Sequence, residues 1–225
     1  MTPRPLFSAV RPDGHFKDKW HDISHENSDA RRITRAPRNR HSTSTRVHIL
    51  NDFQEYTTQY NIGANTSGTA IVARDGINLE NIILSPSGRT MAAKFREMSI
   101  INVYTPSGTA MKREHERFFN SELTYKLTGE TGHILLGGDF NCILEASDTT
   151  GGFTYSRPLA ELVHGLALTD TWLGNPTRNV YTRHSAYGAT RIDRIYATRE
   201  LLERQLFVEA IVAPFTDHLA VCLRI

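Results

Sequence analysis

The sequence predicts a single mixed α/β domain. Short runs rich in Ile and Val recur along residues 68–225, and segments with helical spacing of apolar residues interrupt them. A chain of 225 residues is also long enough to bury one large core. No internal repeat is visible. No run of about 18 apolar residues exists, so no membrane span is expected, and the N-terminus lacks the apolar core of a signal peptide.

Taken in order, Gly68–Arg74, Leu79–Ser85, Met91–Phe95 and Ser99–Tyr104 read as successive strands. Met111–Leu127 reads as a helix: Phe118, Phe119, Leu123 and Leu127 recur near helical spacing, while Lys112, Arg113, Glu114 and Glu116 suit a wet face. The apolar residues Ile134 to Leu136 predict a buried strand over His133–Gly137, with the two glycines that follow making a tight exit. A loop through Thr149–Gly152 comes next, and Pro158 opens a helix that runs to Leu168. Val180–Arg183, Arg191–Ala197, Leu206–Val212 and Leu219–Ile225 read as strands, with a short helix at Arg199–Arg204. Cys142 and Cys222 fall in or beside strands and read as buried reduced thiols, which suits an intracellular protein. No Cys/His spacing points to zinc.

The net charge of +2 hides an asymmetry. Residues 1–50 hold 10 Lys/Arg against 5 Asp/Glu, and residues 51–225 hold 16 against 19. Arg31, Arg32, Arg35, Arg38, Arg40 and Arg46 sit among prolines, serines, threonines and histidines with little apolar periodicity. Residues 1–46 are therefore expected to be a basic, poorly ordered segment, with the folded domain over residues 47–225. Such a segment serves either as a solvated tail or as a phosphate-binding arm.

Chemistry concentrates in three places. Gly137-Gly138-Asp139-Phe140-Asn141 places a carboxylate and a carboxamide two residues apart at a strand end. Residues i and i+2 of an extended segment share a face, so Asp139 and Asn141 are expected to point into one site. One would move a proton and the other orient a water or phosphate oxygen; the plain alternative is a capped turn. Asp193 lies inside the apolar run of Arg191-Ile192-Asp193-Arg194-Ile195-Tyr196, where a carboxylate is expensive unless paired; Arg191 and Arg194 are its nearest candidate partners. Asp217-His218 stands just before Leu219-Ala220-Val221-Cys222-Leu223 and offers a hard oxygen beside an imidazole. Each signal alone is weak, but the ordered set is what phosphodiester chemistry needs.

In that order, these motifs resemble the exonuclease–endonuclease–phosphatase superfamily, and within it the apurinic-type endonuclease domain of non-LTR (LINE-type) retrotransposons. Accessory runs agree: Gly68-Thr69-Ala70-Ile71, Ile101-Asn102-Val103-Tyr104-Thr105-Pro106-Ser107-Gly108, Asp170-Thr171-Trp172 and Tyr181-Thr182. They argue against a phosphatase acting on lipid or nucleotide. The resemblance covers roughly residues 47–225. It implies a two-sheet β-sandwich flanked by helices, with the site at one edge. It also implies Mg2+ (or Mn2+) as cofactor and DNA as partner; the oligomeric state is left open, with a monomer expected, and the location is expected to be intracellular and nuclear. The competing class is a catalytically inactive retroelement remnant that at most binds nucleic acid.

Carried over residue by residue, the resemblance implies that His218 contacts the scissile phosphate or helps activate water, and that Asp193 orients His218. Asp139 would exchange a proton, with Asn141 orienting it, and Asp217 would sit at the metal with Asp139. Tyr104 matches the family tyrosine that touches the phosphate. The family's following Asn is Ser107 here, and Thr216 stands where Ser is common. The family's first-strand Asn and its metal-holding Glu have no good counterpart. Glu55, in Phe53-Gln54-Glu55, imitates the Glu motif and is carried as its candidate, but only twelve residues separate it from Gly68, fewer than the family has. The first strands of one sheet are thus expected to be missing, and activity to be weakened. Arg183, His184 and Arg191 are expected to meet DNA phosphates, on charge alone.

Overall fold

The computed structural model describes residues 56–62, 68–74, 76–127, 129–152, 155–173, 180–203, 207–212 and 217–224. The expectations about residues 1–46, Glu55 and the missing first strands fall outside the described residues. The strands are β1 (Tyr56–Ile62), β2 (Gly68–Arg74), β3 (Glu80–Leu84), β4 (Thr90–Phe95), β5 (Met98–Tyr104), β6 (His133–Asp139), β7 (Leu168–Asp170), β8 (Arg183–Ser185), β9 (Gly188–Thr190), β10 (Asp193–Thr198), β11 (Phe207–Val212) and β12 (Leu219–Arg224). The helices are α1 (Lys112–Arg117), α2 (Thr124–Leu127), α3 (Arg157–Gly165) and α4 (Arg199–Leu202). Among the described residues, no helix is long and apolar enough to cross a membrane.

Six strands form the central sheet, in the order β3-β4-β5-β6-β10-β7. Strand alternation divides its side chains between two faces. Ala92, Ile101, Val103, Ile134, Leu136 and Tyr196 face the helices, where they pack with Phe118, Phe119, Leu123, Leu127, Leu159 and Leu162. On the other face, Leu135, Ile195 and Ala197 meet Val208, Val221 and Leu223 of β11 and β12. Met91, Ala93 and Ile100 meet Ile71 of β2 on that same face. The antiparallel pairs β1–β2 and β11–β12 therefore supply the second β layer. The mixed α/β architecture is the one predicted, with helices covering one face of a sheet whose other face meets strands.

Differences from the predicted elements have local causes. The long helix is interrupted: Thr109–Met111 is a 3-10 turn, and Phe118–Leu123 is a π-helical stretch between α1 and α2. The second helix stops at Gly165, because Ala167 adopts a left-handed φ of 50° and redirects the chain into β7. The strand expected over Val180–Arg183 begins only at Arg183 and pairs with β9 as a short hairpin. Val180 to Thr182 remain irregular, and the Thr182 hydroxyl accepts from the amides of Ile192 and Asp193 at the start of β10 instead.

The connections that matter most lie in the middle of the sheet. Strands β5 and β6 are parallel, and β10 runs antiparallel to β6, with Tyr104, Asp139 and Asp193 in register across the three. Tyr104 and Asp139 are the last residues of their strands, and Asp193 is the first of its own. One end of the sheet thus gathers residues that lie far apart in sequence.

Candidate active site

Both Gly137 and Gly138 lie within β6, so the glycines do not make the exit turn expected of them. Their role is close approach. Gly138 has φ +142°, and a Cβ there would sit 2.0 Å from the carbonyl oxygen of Val103 on β5. The turn comes later, at Asn141, with φ 47°. Its backbone N–H donates to Asp139 Oδ1 at 2.9 Å, closing an Asx turn, and its Nδ2 donates to the Thr105 carbonyl at 3.0 Å. Asp139 and Asn141 therefore do not share the face of an extended segment. Asn141 is left-handed rather than extended, and it reaches the site through the Asp139 carboxylate. The loop is tied further by Thr105 N–H donating to the Asp139 carbonyl and Phe140 N–H donating to the Ile192 carbonyl, both at 2.9 Å.

Asp139, 4% exposed, faces Asp193 across β6 and β10. His218 enters from the segment before β12, and its Nδ1 lies 2.9 Å from Asp193 Oδ2. The carboxylates of Asp139 and Asp193 and the imidazole of His218 each offer an atom within 4.8 Å of the others. Burial alone would lower the pKa of His218. The hydrogen bond and charge of Asp193, with the charges of Asp139 and Asp217, outweigh it and raise the pKa above the ordinary value. Asp217 is half exposed: its Oδ2 accepts from Arg183 Nε at 3.1 Å, and its Oδ1 lies 3.9 Å from His218 Nε2. Its slight burial raises its pKa, but the Arg183 hydrogen bond and the neighbouring His218 prevail and lower it. Tyr104 is buried beside Asp139 in the sheet. Glu55 and Thr216 lie outside the described residues.

The partner of Asp193 is thus His218, and neither flanking arginine takes that part. Arg191 and Arg194 point instead into a buried network. Arg191 donates to Asp148 Oδ1 through Nε and Nη2 at 3.0 and 2.8 Å, and through Nη1 to Asp170 Oδ2 at 2.8 Å. Arg194 donates to Asp170 Oδ2 at 2.7 Å and to Asp148 Oδ2. Arg191 is only 8% exposed, which removes it from the expected phosphate contacts; Arg183 and His184 remain at the surface, on β8. Burial would raise the Asp148 pKa, but the two guanidinium groups overcome this and lower it. Thr182 forms a second anchor. Its hydroxyl accepts from the N–H groups of both Ile192 and Asp193, at 3.1 and 3.0 Å, and its carbonyl accepts from Leu219 N–H at 2.6 Å. One fully buried residue thus holds the backbone beside both members of the Asp193–His218 pair. These supporting roles were not read from the sequence, although Asp170 and Thr182 both lie in the accessory runs.

A family model described as the endonuclease/exonuclease/phosphatase family matches residues 11–218, a span that ends on His218. The chain belongs to this family. It is 33% identical over 150 residues to the transposon TX1 uncharacterized 149 kDa protein of Xenopus laevis; the alignment covers 61% of this chain and 11% of that protein. The chain therefore spans only about a tenth of that relative's length. Among solved structures, it is similar to an AP endonuclease from Archaeoglobus fulgidus, with TM-score 0.65 and 18% identity over 77% of this chain and 80% of that one. It is also similar to the 3' phosphatase NExo from Neisseria, bound to product DNA hairpin, with TM-score 0.63, 20% identity and the same coverages. At these identities, the structural likeness is one of fold.

Whether a divalent metal suits this member of the endonuclease/exonuclease/phosphatase family depends on its donor atoms. Mg2+ and similar hard cations take oxygen ligands and keep several waters. Among the described residues, Asp139, Asp193 and His218 form the one group of three metal-capable side chains. Asp193 holds the imidazole, which leaves Asp139 as the buried carboxylate of that group, while Asp217 lies beside it on His218 and Arg183. Two carboxylates with water completing the shell suit Mg2+ or Mn2+ better than a soft metal.

Proposed function

We propose that this chain hydrolyses phosphodiester bonds of DNA, nicking one strand with the help of Mg2+ or Mn2+. The observation that carries this reading is the 2.9 Å Asp193–His218 contact set against Asp139 at the ends of β10 and β6. The DNA-processing names of the similar structures support DNA as the substrate, and the transposon relative supports a retroelement origin.

Asp193 accepts from Nδ1–H and thereby fixes the tautomer and ring orientation, so that His218 presents Nε2 to the substrate. The raised pKa keeps the imidazole protonated further towards neutrality, so Nε2–H donates to a non-bridging phosphate oxygen and stabilises charge there. Asp139, held by the Asn141 N–H, takes the proton of the attacking water. Asn141 acts through Asp139, and Tyr104 borders the phosphate from the end of β5. A cation held by Asp139 and Asp217 would polarise the phosphate and neutralise the leaving oxygen.

The test is a supercoiled-plasmid nicking assay with Mg2+, Mn2+ or EDTA. Metal-dependent conversion to the open circle, abolished by His218→Ala, is expected. A folded chain that nicks with neither metal, or a His218→Ala variant as active as the parent, would overturn the proposal.

A further inference from the structure

The turn between β3 and β4 brings Arg89 to the same end of the sheet as Asp139. Its guanidinium carbon lies 5.4 Å from the centroid of the Tyr104 ring, and its Nη1 donates to the Tyr104 carbonyl at 3.2 Å. The backbone completes the clamp: Tyr104 N–H donates to the Arg89 carbonyl at 2.9 Å, and Arg89 N–H donates to Ser87 Oγ at 3.1 Å. The guanidinium is therefore held against Tyr104, and Arg89 is half-buried.

Its partners carry no formal negative charge. Among the described residues, the other arginine side chains that are buried or half-buried all meet carboxylates: Arg183 meets Asp217, while Arg191 and Arg194 share Asp148 and Asp170. Arg89 forms no ion pair with any described residue. A partly desolvated cation without an acid is costly, and an anionic ligand would relieve that cost. A guanidinium held over a ring by one N–H keeps its remaining N–H groups for the bidentate geometry that grips a phosphate.

We infer that Arg89 binds a backbone phosphate of the DNA strand that lies across Tyr104 and Asp139. This rests on the proposed DNA-cleaving function. It assigns to the β3–β4 turn a substrate-binding residue that none of the sequence motifs includes. Tyr104 then has two tasks, bordering the site and holding the guanidinium through its ring and carbonyl.

The experiment measures duplex DNA binding by the full chain in EDTA, by fluorescence anisotropy, across a fourfold range of KCl. Each phosphate neutralised contributes about 0.9 to the slope of log affinity against log salt. Arg89→Gln should reduce the slope by about that amount, so that its affinity loss across the range is roughly threefold smaller than that of the parent. Arg89→Lys keeps the charge and should keep the slope. A merely structural role for Arg89 would change stability or turnover and leave the slope alone, so an Arg89→Gln chain that melts like the parent with an unchanged slope overturns the inference. An equal slope loss in Arg89→Lys overturns it too, because the charge would not be the cause. Either result leaves the nicking proposal standing. A parent chain that neither binds nor nicks DNA would sink both.

Discussion

His218 and Asp193 lie 25 residues apart in sequence and meet at 2.9 Å. Two pieces of backbone bring them together. Asp193 opens β10 against the end of β6, and Arg183 bridges to His218 at the start of the last strand. Thr182, next to that bridge, holds the amides on either side of the pair.

The raised pKa of His218 fixes a sign. A histidine whose folded pKa exceeds its unfolded value stabilises the fold fully below about pH 6.5, and that contribution is lost as pH rises through the folded pKa. An NMR titration should find the His218 ring protonated above the ordinary histidine range, and Asp193→Asn should move the midpoint down. A midpoint at or below the ordinary value, indifferent to Asp193→Asn, would mean that the pair is not coupled in solution.

The two adjacent glycines should respond very differently to alanine. At Gly138, a Cβ would run into the Val103 carbonyl at 2.0 Å, on a backbone with φ +142°. At Gly137, the nearest atom is Ile195 Cγ1 at 3.4 Å, an ordinary contact. Gly138→Ala is expected to separate β5 from β6 at the point where Tyr104 and Asp139 pair, destabilising the fold by more than about 3 kcal/mol. Gly137→Ala should cost about 1 kcal/mol or less. Urea unfolding of the two variants makes the comparison.

Much of this was legible from the chain alone. The apolar runs mark β5, β6 and β10 because a strand buried on both faces must be apolar almost throughout, whereas β11 shows the same run with Phe207, Ile211 and Val212 exposed. The order of Asp139, Asp193 and His218 marks the site because each stands where such a run begins or ends. What escaped has no periodic signature. Asp148 ends a 3-10 turn and Asp170 a three-residue strand, and only the fold brings them to Arg191 and Arg194. The left-handed turn at Asn141 defeated an inference that assumed extended backbone. Arg89 is one basic residue among many until the Tyr104 ring is seen beneath it.

The arginine–aspartate network predicts a large asymmetry between removing one member and removing a pair. Arg194→Met leaves Asp148 and Asp170 with a single buried cation, and a loss of about 3–5 kcal/mol is expected. Combining it with Asp148→Asn should cost much less than the two single losses together. The lowered pKa of Asp148 means that its stabilising contribution is present above the unfolded value near 3.9 and lost as pH falls through the folded pKa. Additive losses in a double-mutant cycle would show that the four charges do not act as a unit.

Thr182→Val tests whether the site depends on its backbone anchors. The substitution removes the acceptor for two amides, Ile192 and Asp193, which would lose about 1–3 kcal/mol each if left unsatisfied. Nicking should fall more than stability alone explains, because the Asp193 strand would no longer be held. Thr182→Ser retains the oxygen and should recover most of both. A valine variant as active as the parent would show that the hydroxyl only fills space.

Metal dependence should be steep. Mg2+ needs oxygen ligands around it, and the proposed function assigns that part to Asp139 and Asp217. Asp217 already shares its charge with Arg183. A cation held this loosely neutralises the phosphate poorly at the transition state. Nicking is therefore expected to rise with Mg2+ well beyond ordinary concentrations and to be stronger with Mn2+. Asp217→Asn should raise the metal requirement further, whereas Arg183→Gln should lower it by releasing the carboxylate. Plasmid nicking titrated with each metal reads both shifts. Saturation at low Mg2+, unmoved by Asp217→Asn, would mean that other residues hold the ion.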